Sequence, residues 1–90
     1  MEVKKYLLNK GISPQIKGFT YLENAIKLCK DNKKYLWNLT TILYPEISRI
    51  YGDTYSRVER AMRHAISKIK PYKTIGAFIG TALIELGLEA

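Results

Sequence analysis

Apolar residues recur along the chain at intervals of three and four, and no window alternates with a period of two over a useful length, a pattern that predicts helices rather than strands. MEVKKYLLNK predicts a helix over residues 2–10 that stops at Gly11, after which ISPQIKG turns around Pro14. A second helix, over 19–30, points Tyr21, Leu22, Ala25, Ile26 and Cys29 inward, and the polar run KDNKK at 30–34 breaks it. A third, over 34–43, presents Leu36, Trp37, Leu39, Thr40 and Leu43, a stripe wide enough to serve as the central core element. Pro45 restricts Tyr44 and suits the first position of a new short helix, PEISRIY, which Gly52 closes. Asp53 or Thr54 caps the next helix, which runs to Lys70 before Pro71 stops it, and Thr74 caps the last, with Gly87 just beyond its end. Gly76 and Gly80 each weaken that last helix by roughly 1 kcal/mol against alanine. The expected fold is all-α, about six helices in one domain spanning residues 1–90.

The stretch SRVERAMRHAI, residues 56–66, sharpens the picture. On a wheel at about 100° per residue with Arg57 at zero, Val58, Ala61, Met62, Ala65, Ile66 and Ile69 fall between about 40° and 180°, and the charged residues fall outside that arc. Before it come a short helix and the turn YGDT, with small Ser48 four residues ahead of Gly52 and apolar Val58 six behind it. That spacing fits a helix-turn-helix, in which the small residue permits a close crossing, glycine makes the turn and the apolar residue locks the second helix onto the first. The recognition helix then lies near residues 55–70 and would enter a major groove N-terminal end first.

Charge supports this assignment. Fifteen Lys plus Arg stand against eight Asp plus Glu, a net +7, which favours a polyanionic partner. Residues 57–73 hold Arg57, Arg60, Arg63, Lys68, Lys70 and Lys73 against Glu59 alone. Arginine gives bidentate hydrogen bonds to guanine O6 and N7 and glutamate accepts from cytosine N4, so Arg57 and Glu59 suit base edges. Ser56 is placed for a base or a phosphate, and Arg60, Arg63, His64 and Lys68 lie further along the polar arc, where phosphate contacts are expected. Tyr55 starts the helix, in position for a backbone or base contact, whereas Tyr6, Tyr21, Tyr35, Tyr44 and Tyr51 follow core spacings. Glu59 also stands four residues before Arg63, so the two suit a solvated ion pair.

Other classes are poorly supported. One histidine, no cysteine–histidine spacing, no glycine-rich phosphate loop and acids scattered over helix faces do not make an enzyme, a metal site or a cofactor site. Cys29, the single cysteine, reads as a small buried hydrophobe. The apolar stretch AFIGTALIELGL, 77–88, is too short to span a bilayer and is interrupted by Glu85, and the N-terminus lacks a signal-peptide core, so a cytoplasmic protein without a membrane partner is expected.

Three stretches, IKGFTYLENAI, ILYPEISRIYGDTYSRVERAMRHAI and FIGTALIELGLE, together resemble the C-terminal DNA-binding domain of the stage-zero sporulation protein A family of response-regulator transcription factors. The resemblance covers nearly the whole chain in order. It implies six helices, binding to double-stranded boxes of the TGTCGAA type, often in tandem, and self-pairing on adjacent boxes through the last helix. It places Arg57 and Glu59 on bases, with Ser56, Arg60, Arg63 and His64 around them on bases or phosphates. The family's receiver domain has no counterpart here, and the family's longer connection, associated with contacting the polymerase sigma subunit, is reduced to SKIKPYKTIGA, residues 67–77. Polymerase contact is therefore not carried over, and a repressing or competing role is expected. The alternative is a module that binds another regulator through protein–protein contacts.

Overall fold

The computed structural model of the chain describes residues 2–69, 72 and 74–88. Among these, six α-helices form and no strand: α1 (Val3–Asn9), α2 (Lys17–Asp31), α3 (Lys34–Trp37), α4 (Tyr44–Tyr51), α5 (Tyr55–Ile66) and α6 (Ile75–Glu85). The all-α expectation holds, and Gly11, Gly52 and Gly87 follow α1, α4 and α6 in the left-handed region at φ 87°, 64° and 70°. A side chain would strain the backbone there, which is why glycine ends these helices.

The third segment departs from its expected form. Asn38, at φ −138° and ψ 63°, ends α3 after four residues, and a π turn over Leu39–Leu43 then runs directly into α4. In this turn the amide of Leu43 donates to the carbonyl of Asn38 at 3.1 Å. Pro45 supplies the cause. Its ring would collide with the carbonyl of Thr41, four residues back, and it has no N–H to donate, so the preceding turn widens. The stripe predicted for the third helix is thereby split: Leu43 is buried, Leu36 and Leu39 pack at the margin, and Trp37 is 74% exposed instead of central.

The central element is α2, which touches all five other α-helices. It begins at Lys17, two residues earlier than the spacing predicted, and buries Gly18, Phe19, Tyr21, Leu22, Ala25, Ile26 and Cys29. Against it pack Val3 and Leu7 of α1, Ile47 of α4, Val58, Met62 and Ile66 of α5, and Phe78, Ile79 and Ala82 of α6, all within one continuous core. Where α2 meets α5, Gly18 does what no larger residue could: a Cβ there would stand 2.3 Å from the carbonyl oxygen of Ala61 and 2.8 Å from the Cβ of Ala65. Of the tyrosines expected inside, Tyr21 and Tyr44 are buried, Tyr6 and Tyr35 are half-buried, and Tyr51 is exposed.

Helix α5 stops at Ile66, earlier than expected, because Ser67 turns back onto His64, its Oγ donating to that carbonyl at 2.8 Å. Lys70 and Pro71, to which the predicted end was assigned, lie outside the described residues. Tyr72 anchors the connection edge-on to Phe78 at 5.2 Å. Thr74 caps α6 by accepting from the amide of Ala77 at 3.1 Å. The two glycines of α6 differ: a Cβ at Gly76 would meet Leu39 at 3.2 Å, whereas one at Gly80 would meet open space. The far end of α6 is tied to α1, since Glu85 accepts from the Tyr6 hydroxyl and pairs with Lys10 at 3.4 Å.

Candidate nucleic-acid interface

A three-residue turn joins α4 to α5, and its three backbone amides donate locally. Gly52 reverses the chain, and the amide of Asp53 then donates to the carbonyl of Ser48 at 3.1 Å. Ser48 returns the bond, its Oγ donating to the Asp53 carbonyl at 2.6 Å. A small residue at 48 was expected for steric reasons; its hydroxyl also satisfies a partly buried carbonyl that alanine would leave bare. Thr54, not Asp53, is the cap of α5: its Oγ1 accepts from the amide of Arg57 at 3.2 Å. Val58, fully buried, holds the start of α5 in place.

Helix α5 divides cleanly. Val58, Met62, Ala65 and Ile66 are buried, while Tyr55, Ser56, Arg57, Arg60, Arg63 and His64 are exposed, and Lys68 is exposed in the turn that follows. All eight residues predicted for the interface except Glu59 are thus on the surface together; Glu59 is half-buried and ion-paired with Arg63. That pair lies beside a hollow lined by Leu39, Tyr44, Thr74, Ile75 and Gly76, on one flank of the exposed arc. Tyr55 is partly engaged as well, meeting Tyr44 edge-on at 5.6 Å. Among the described residues, Arg60 and Lys68 make no ion pair.

The opposite flank holds a contact that pattern reading missed. The Asp53 side chain, only 8% exposed, accepts from the Tyr21 hydroxyl at 2.6 Å through Oδ2 and from the amide of Thr54 at 2.8 Å through Oδ1. The same Oδ1 stands 4.0 Å from Nη1 of Arg57. These donors, the Tyr21 hydroxyl foremost, hold the carboxyl below its usual range, and Lys17 and Arg57 add to the effect. Burial and the facing carboxylate push the Tyr21 hydroxyl up to about 12. Nothing local marks this contact, because Tyr21 and Asp53 are 32 positions apart and only the packing of α2 on the turn joins them.

Two further features bear on chemistry. Cys29 is buried in α2, and burial pushes its thiol up to about 12, so it is an inert packing group. No helix among the described residues is long and apolar enough to cross a membrane, and no cluster of three or more metal-ligating side chains occurs among them.

The surface that results is a helix with one buried face and one cationic face, raised on a rigid turn. Residues 3–81 match the family model described as Sporulation initiation factor Spo0A C terminal. With 79 of its 90 residues inside that match, the chain belongs to this family, whose domain is the DNA-binding domain of a sporulation transcription factor.

Proposed function

We propose that α5 is the recognition helix of a helix-turn-helix and reads double-stranded DNA of the TGTCGAA type in the major groove. The observation that carries this reading is the exposed arc of α5: Ser56, Arg57, Arg60, Arg63 and His64 stand out from a helix whose other face is locked into the core, so they reach a groove without rearrangement of the fold. Arg57, in the first turn and 73% exposed at its side chain, offers a bidentate fork to guanine. Glu59 accepts from cytosine after leaving Arg63, a release that costs only about 0.3–0.5 kcal/mol for a helical pair of this spacing. Ser56, Arg60, Arg63, His64 and Lys68 serve phosphates or flanking bases, and Tyr55 the backbone at the helix start. The longest dimension of the fold, 29 Å, is less than one turn of B-DNA, about 34 Å, so one copy covers one seven-base-pair box of about 24 Å. Tandem boxes then bring two copies together through α6, where Ile84 is 61% exposed. The short link between α5 and α6 fits a protein that occupies boxes without recruiting polymerase, and strong activation of a box-containing promoter by this chain would refute that role.

Fluorescence anisotropy over a salt series, with a box duplex and a scrambled duplex, tests the reading. The box should bind tighter, and Arg57→Ala should lose about 1–3 kcal/mol mainly on the box. Equal binding to both duplexes would overturn it in favour of a protein-interaction module, for which the exposed Trp37 and Ile84, flanking a groove with Lys33 at its rim, are the candidate surface.

A further inference from the structure

We infer that Asp53 and Tyr21 form a positioning pair for Arg57, in which a carboxylate pinned by the hydroxyl of α2 aims the guanidinium at a base edge and away from the phosphates. The inference rests on Arg57 being a base-contacting side chain. An arginine on an exposed helix start is a long, mobile group, and the two DNA strands offer it more phosphates than guanines. Its own rotamer preferences do not discriminate between them.

Asp53 changes this. Oδ1, 4.0 Å from Nη1, draws one side of the guanidinium toward the turn and leaves the Nε–Nη2 edge for a bidentate contact. The carboxylate is itself held through both oxygens. Its Oδ2 is held at 2.6 Å by Tyr21, whose ring packs on Tyr51 at 5.2 Å, its Oδ1 by the Thr54 amide at 2.8 Å, and its backbone by the reciprocal bonds with Ser48. Lys17, which lines one hollow with Asp53 and Arg57, is the other cation whose charge acts on it. A fixed negative charge at the edge of a DNA-binding face also repels phosphate from that position. It therefore lowers affinity for every duplex while sharpening the choice among them, which is how an unfavourable element yields specificity.

The test measures the ratio of box to scrambled-duplex affinity by anisotropy over a salt series for wild type, Asp53→Asn, Tyr21→Phe, Arg57→Ala and Asp53→Asn with Arg57→Ala. Asp53→Asn should bind the scrambled duplex as tightly as wild type or tighter, with a salt slope steeper by up to about one unit. Its ratio should drop about three-fold or more, the size of coupling expected for residues in contact. Tyr21→Phe, which keeps the ring but frees the carboxylate, should lower the ratio in the same direction. With Arg57 already removed, Asp53→Asn should leave the ratio unchanged. An unchanged ratio in both Asp53→Asn and Tyr21→Phe, or an equal drop in the Arg57→Ala background, overturns the positioning role, since a structural defect would act regardless of Arg57. If Arg57→Ala by itself leaves the ratio at the wild-type value, base reading by Arg57 fails and the positioning role fails with it. Thermal unfolding of each variant identifies misfolding, and Tyr21→Phe decides the matter should Asp53→Asn not fold.

Discussion

Gly18→Ala should destabilise the fold although alanine is the better helix former. The added Cβ would lie 2.3 Å from the Ala61 carbonyl oxygen and 2.8 Å from the Ala65 Cβ. Both belong to α5, and one is backbone, so no side-chain rotation relieves the collision. Restoring an ordinary contact requires α5 to retreat from α2 by about 1 Å. Overpacking of this kind costs about 1–3 kcal/mol, which for a domain of this size lowers Tm by about 5–20 °C. Gly80→Ala is the matched control. Its Cβ meets nothing within 4 Å, so it should stabilise the interior of α6 by about 0.5–1 kcal/mol. Thermal and urea unfolding followed by circular dichroism compare the two. A Gly18→Ala protein as stable as wild type would refute the claim that the α2–α5 crossing is set by that glycine. Because the retreat moves the exposed face of α5 against α2, the proposed reading also expects box affinity to fall, with no residue of that face altered.

Thr54→Ala removes the cap of α5 and should cost about 1 kcal/mol in urea unfolding while weakening binding through a frayed first turn; an unchanged midpoint would show that the cap contributes nothing. Alkali should unfold the protein cooperatively. The Tyr21 and Tyr44 hydroxyls and the Cys29 thiol, each pushed up to about 12 chiefly by burial, favour the neutral form in the folded state. Their contribution is complete below the ordinary values, about 8.5 for cysteine and 10 for tyrosine, and is lost as pH rises toward 12, so the urea midpoint should decline across that window and a flat profile would refute it. On the acid side the sign reverses: Asp53, Glu46 and Glu85 are held below the usual carboxylate range, so what they contribute is present above about pH 4 and is lost as pH falls below it, which the same titration reads.

Much of this protein is legible without its tertiary structure wherever the cause is local. The amphipathic division of α5, the Thr54 cap, the turn at Gly52 and the basic run from Arg57 to Lys68 depend on neighbours within a few positions, and a helical period or a backbone angle expresses them directly in the residue order. Cys29 likewise sits on an inward stripe of α2 and is buried there. Other features depend on what a segment meets in space. Trp37 shares a stripe with Leu36 and Leu43 only while the helix is continuous; the break at Asn38 and the wide turn before Pro45 rotate it outward. Gly18 reads as part of a loop until α5 crosses it within van der Waals reach. The Glu59–Arg63 ion pair, by contrast, follows from the spacing of four within α5, and only the half-burial of Glu59 beside Leu39, Tyr44 and Gly76 depends on packing. Residue order by itself determined five of the six helices in outline, the Thr74 cap and the cationic face, because these follow from short-range periodicity and backbone preference. Tertiary packing decided which helix is central, where α5 lies on α2 and that Tyr21 and Asp53 meet beside Arg57, because contacts between distant positions arise only when apolar faces close on one another.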